Sequence, residues 1–169
     1  MGGVSVSVIG LWTYAVTGGG GTVRQPLTSL GSPENAGHVH GRLTIMVVGR
    51  LLPYLGHLGP DDVCLDTWVV ELCRVVNDLA MTPSTYVFDE GEQGQPAFRF
   101  ERCGHEVAIS IVDSDVSDGE ADHDWQDVRC DYGALRDAVA GFLQEQRRNL
   151  RNQAPHEAER WWPREAALV

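Results

Sequence analysis

The chemistry-bearing residues of this chain are mostly carboxylates. The run Asp113-Ser-Asp-Val-Ser-Asp-Gly-Glu-Ala-Asp-His-Asp124 carries six of them, Asp113, Asp115, Asp118, Glu120, Asp122 and Asp124, and Trp125 follows directly. Acids at this spacing can gather a divalent cation through oxygen ligands, or they can present negative potential to a basic partner. The start of the run, Asp-x-Asp-x-Ser-Asp-Gly, is close to a calcium loop. Such a loop needs glycine at its sixth position, and Asp118 holds that place here. The flanks read as strands instead of the two helices of an EF-hand. A solvated acidic turn is therefore expected, with no metal assigned to it.

The remaining candidates are thinner. His38-x-His40 would put both imidazoles on one face of a strand, but two imidazoles leave a metal's coordination short. His57, His105, His123 and His156 are scattered. The four cysteines, Cys64, Cys73, Cys103 and Cys130, show neither C-x-x-C spacing nor the density of a disulfide framework, which suits free thiols in a reducing compartment. Cys103 and His105 are the one close cysteine–histidine couple, and the expectation there is a tight turn with a buried thiol, not a nucleophile. Gly18 to Gly21 is followed by no Gly-Lys-Ser/Thr and no clear helix, so it predicts a loop instead of a phosphate cradle. No catalytic residue and no cofactor is expected. Trp125 has two roles open to it: a core residue anchoring the acidic turn to a sheet, or a surface aromatic ringed by charge that a partner would contact.

The elements that must position these residues follow from hydrophobic periodicity. Val4, Val6 and Val8 alternate with Ser5 and Ser7, and β-formers continue to Val16, predicting a first strand. The glycines and the polar stretch to His40 predict a flexible loop over 18–40. Leu43, Ile45, Val47 and Val48 predict a second strand, ended by Pro53. Trp68, Leu72, Val75, Val76 and Leu79 form one helical stripe behind the capping acids Asp61, Asp62 and Asp66. Tyr86–Phe88, Ala97–Arg102 and Val107–Val112 predict an antiparallel meander, with a further strand between Trp125 and Tyr132. Leu135, Val139, Phe142, Leu143 and Leu150 predict a last helix, with Gln146 in the vacant turn of the stripe. Pro155 opens a tail over 155–169 whose Trp161 and Trp162 either close over the core or stay at the surface. The sum is an α+β fold, a mainly antiparallel sheet with two main helices packed on one face.

With 169 residues, 43% of them hydrophobic, the chain can bury one core, so 1–169 is expected to be a single domain. The net charge of −11 is concentrated. Asp89 to Asp131 holds thirteen acids and three arginines, while all thirteen basic residues of the chain are arginine, as in proteins of GC-rich bacterial genomes. Such a field repels nucleic-acid backbones and draws in basic proteins. No apolar run reaches the length of a membrane span and no basic leader opens the sequence, so a cytoplasmic location without membrane contact is expected.

The order of Leu65-Asp-Thr-Trp-Val-Val-Glu-Leu72, Tyr86-Val-Phe88, Ala97-Phe-Arg-Phe-Glu-Arg102, Val107-Ala-Ile-Ser-Ile-Val-Asp-Ser114, Asp124-Trp125 and the helix Leu135 to Leu150 resembles the small acidic immunity proteins of bacterial polymorphic-toxin and contact-dependent inhibition systems. That resemblance implies a protein that binds a cognate toxin domain, a nuclease or deaminase with a basic cleft, and covers its active site. The acidic residues from Asp113 to Asp124, with Trp125, would form the contact. Two other classes stay open: a small metal- or thiol-dependent enzyme using His38, His40 and Cys103 or the acidic turn, and an assembly subunit that joins copies through Trp161 and Trp162.

Overall fold

The computed structural model describes residues 3–163 and 166–168. Its strands divide between two antiparallel sheets, which with the helices make an α+β fold. In the first sheet, β1 (Val4–Val16) pairs with β2 (Thr22–Pro26) on one side and with β3 (His40–Val47) on the other. β3 in turn carries two short partners, β4 (Arg50–Leu51) and β5 (Val63–Cys64). β1 bends where its register against β3 shifts between Ile9 and Trp12, and Gly10 supplies a φ of +72° there.

The second sheet is the meander, with β6 (Ser84–Phe88), β7 (Ala97–Cys103), β8 (Glu106–Val112) and β9 (Val128–Asp131) in spatial order. Helix α1 (Leu65–Asp78) links the sheets and touches β3 and β6. Helix α2 (Tyr132–Gln153) starts from an Asp131 cap, whose carboxylate accepts from Ala134 N at 2.9 Å, and lies along β1 and against α1. Trp68, Leu72, Val75, Val76 and Leu79 from α1 join Leu135, Val139, Phe142, Leu143 and Leu150 from α2 in one buried cluster that takes in both sheets. Gln146, in the same stripe as those α2 residues, is buried with them.

The segment 18–40 is not the flexible loop that its polarity suggests. Gly18 to Gly21 form a turn, closed by Thr17 N to Gly21 O at 2.8 Å and Gly20 N to Thr17 O at 2.9 Å. Thr22–Pro26 pairs with β1, and Leu27, Leu30 and Val39 are apolar anchors buried in the core. The far side of β1 is bonded as well, by Val16 N to Glu34 O at 2.7 Å and Ala36 N to Tyr14 O at 2.8 Å. Thr13, fully buried, donates to His38 O at 2.7 Å. A polar stretch orders here because its backbone groups are satisfied on both sides of one strand. The described part of the tail also folds back. Helix α3 (Ala158–Trp161) follows α2, and Trp161 and Trp162 are half-buried against the core, closing over it.

Candidate functional site

The acidic turn is built on a second turn, the 89–96 connection between β6 and β7. The Asp89 carboxylate accepts from Ser114 Oγ at 2.9 Å and from Asp115 N at 2.8 Å. Asp118 Oδ1 accepts from Gly94 N at 2.7 Å, and Ser117 Oγ donates to Gln95 O at 2.8 Å. Within the turn, Asp113 takes Ala121 N at 2.8 Å and Asp122 takes Asp124 N at 2.9 Å. Asp113, Asp118 and Asp122 are thus occupied, at least by one oxygen each, in satisfying loop amides. Asp115, Glu120 and Asp124 are exposed, and among the described residues their carboxylates have no hydrogen-bond or ion-pair partner. The turn curls around an open hollow of about 510 Å³ lined by Asp113, Asp118, Glu120 and His123 among others.

Trp125 does not line that surface. It is 4% exposed and belongs to the core, so of the two roles open to it the indole takes the anchoring one, and it offers no contact to a partner. Its carbonyl accepts from Ile111 N at 2.8 Å, and β9 begins only at Val128. Arg50, from the tip of the first sheet, lies over the indole at 4.8 Å from the ring centroid and donates to Asp124 O. Asp113, Asp118 and Glu120 share the hollow, then, and Trp125 follows the turn as its buried anchor.

A second constellation was only half visible in the sequence. β5 runs antiparallel to β3 with His40 opposite Cys64 and Gly41 opposite Val63. The pairing extends one step further: Leu65 N donates to Val39 O at 2.8 Å and Val39 N to Asp66 Oδ1 at 3.1 Å. Alternate residues share a face, so His38 and His40 meet Asp62, Cys64 and Asp66. His38 Nδ1 and an Asp66 oxygen are 2.6 Å apart, and His40 Nδ1 and an Asp62 oxygen 3.0 Å. Tyr14 donates to the other Asp62 oxygen at 2.5 Å, and that bond, with burial adding to it, raises the phenol's pKa. The signal available was the alternation Asp62-x-Cys64-x-Asp66 facing His38-x-His40.

Cys103 is not the cysteine that joins the histidine pair. It sits exposed at the β7–β8 turn of the other sheet, not buried as the Cys103–His105 spacing suggests, because it ends its strand at a two-residue connection open to solvent. All four cysteines are free. Cys73 and Cys130 lie in the core, where burial pushes both thiols up to about 11, and burial followed by the Asp66 charge raises Cys64. Among the described residues, His38, Cys64 and Asp66 are the one group of three such side chains whose ligand atoms converge, all within 4.8 Å of one another. The acidic turn forms no such group.

Beside this face is a cleft of about 230 Å³, lined by His40, His57, Asp62, Cys64, Trp68 and Glu90 among others. Glu90 is exposed as a residue, yet it lines the cleft. Desolvation there, helped by Glu92 and Glu71, raises its carboxyl to about 7. No helix of the described residues is long and apolar enough to cross a membrane. No family model, no curated protein and no solved structure matches the chain, so its chemistry rests on the residues just described.

Proposed function

We propose that this chain is a non-enzymatic antagonist of the immunity-protein kind, which docks its acidic turn into the basic cleft of one protein toxin domain. The observation that carries this is the hollow lined by Asp113, Asp118 and Glu120, with the carboxylates of Asp115, Glu120 and Asp124 exposed on the same turn and unpartnered among the described residues. A turn with an excess of negative charge steers a basic partner during approach and suits the recess that a nuclease or deaminase keeps for phosphates. Carboxylates that stay at the rim govern the rate of association. Any that become fully desolvated against an arginine or lysine govern dissociation.

The test uses the triple variant Asp115→Arg, Glu120→Arg, Asp124→Arg. None of these side chains holds the turn together, so the fold should survive. The partner probe is the C-terminal domain of the polypeptide encoded immediately upstream, followed by surface plasmon resonance across a salt series. Association of the triple variant should slow by about tenfold or more at low ionic strength and lose most of its salt dependence. Co-expression should protect cells from that domain with the native chain and fail with the variant. Unchanged association would remove the acidic turn from the interface.

A further inference from the structure

We propose that His38, Cys64 and Asp66 form a binding site for a zinc-class divalent ion, with the fourth coordination position left to water. It is separate from the acidic turn and does not depend on the docking proposed above.

The donor set is the first argument. An imidazole, a thiolate and a carboxylate are the three protein ligands that zinc uses, and they do not suit calcium or magnesium, which take oxygen alone. Their ligand atoms already lie within 4.8 Å of one another. Bonds of about 2.0–2.3 Å from a tetrahedral ion set neighbouring donors about 3.3–3.6 Å apart in a set with one sulfur, so closure needs a contraction of up to about 1.5 Å. His38 can supply part of it, since its side chain is 58% exposed and its side-chain contact with Asp66 would give way to the ion.

The second argument is the rigidity of the frame. The three residues come from two chain segments tied in both directions, by Leu65 N to Val39 O and by Val39 N to Asp66 Oδ1. Cys64 and Asp66 flank the first residue of α1, so their spacing is fixed by a helix start. The neighbouring pair of His40 and Asp62 is held by Tyr14 and keeps its own hydrogen bonds. An ion would replace the hydrogen that now joins His38 to Asp66, opening that 2.6 Å contact to the wider separation of two ligands. The Cys64 thiol gives its proton to buffer and binds as the thiolate, and the proton shared by His38 and Asp66 moves to the other ring nitrogen or to buffer, so that a neutral imidazole and a carboxylate remain as ligands.

The fourth position faces outward with the exposed His38, and Cys64 also borders the 230 Å³ cleft. Three protein ligands with an open fourth place make a site that exchanges water, distinct from a closed structural one.

The experiment takes the full chain, reduced and stripped with chelator, and titrates it with cobalt(II) and then zinc. Cobalt should bind at one equivalent with a thiolate-to-cobalt charge-transfer band and the intense visible bands of a four-coordinate ion, and zinc should displace it. Cys64→Ser should abolish the charge-transfer band, and Asp66→Asn and His38→Gln should each weaken zinc by about tenfold or more. His38→Gln changes an exposed side chain, so a folding defect cannot stand in for lost binding; circular dichroism checks each variant. Cys103→Ser should bind as the native chain does. No charge-transfer band with the native chain, a band that persists in Cys64→Ser, or His38→Gln binding as the native chain does would each overturn the site.

Discussion

Replacing Gly119 by alanine tests how the acidic turn is held. Gly119 is buried against the 89–96 turn, and a Cβ added to it would lie 2.0 Å from Gln95 O, 2.1 Å from Gln95 C and 2.4 Å from Pro96 N. All three are main-chain atoms, so no rotamer change relieves the overlap. An ordinary carbon–oxygen contact is about 3.3 Å or longer, so the two turns must part by more than about 1 Å. The displacement falls on four hydrogen bonds, those of Asp89 with Ser114 Oγ and Asp115 N, of Asp118 with Gly94 N, and of Ser117 Oγ with Gln95 O. At about 1 kcal/mol net apiece their complete loss would be about 4 kcal/mol, while overpacking of a tight site typically costs about 1–3 kcal/mol. Because water can re-solvate most of these groups, Gly119→Ala should lower stability by about 2–3 kcal/mol. Urea unfolding at neutral pH would read this as a shifted midpoint with an unchanged slope. Amide exchange at Gly94 and Asp115 should accelerate, while the amides of β7 and β8 stay protected. A loss under about 0.5 kcal/mol with both amides unaffected would show that the turns are not packed as described.

Two further outcomes follow from the same frame. Trp125→Ala should destabilise the fold by about 3–5 kcal/mol in urea unfolding, because the indole is 4% exposed; a loss under about 1 kcal/mol would mean that the ring is not in the core. Glu90, raised from 4.5 to about 7 by desolvation first, binds its proton more tightly in the folded chain, so stability is greatest below about pH 4.5 on its account and falls as pH rises through 7. For so exposed a residue the effect should be about 1 kcal/mol after solvent screening, and Glu90→Gln should flatten the stability–pH profile in that window; an identical profile would refute the shift.

Period-two and period-3.6 patterns carried most of the fold. Val4, Val6 and Val8 lie in β1, the stripes of α1 and α2 are buried as spaced, and the meander from Ser84 to Val112 pairs in sequence order. The strand Thr22–Pro26 escaped because it is an exposed edge with Val23 at the surface, so no alternation of burial marks it. The division into two sheets depends on which strands meet through α1 and α2, which propensity does not encode. Carboxylates could be located from sequence, but which of them are spent on loop amides could not, since Asp113 and Asp115 look alike until Ala121 N is seen to choose the first. Cys64 was missed for a similar reason. Its neighbours His38 and Asp66 come together through strand pairing, whereas the Cys103–His105 couple is close only along the chain.

The way in which Asp89, Asp113, Asp118, Ser114 and Ser117 cap the loop amides has a consequence for residence time. A loop whose main chain is already fixed gives up little conformational entropy when something settles on it, so contact energy is not spent on ordering the backbone. A complex formed there should come apart slowly relative to its area, and mutations that loosen the amide caps should shorten its lifetime without touching a single contact residue.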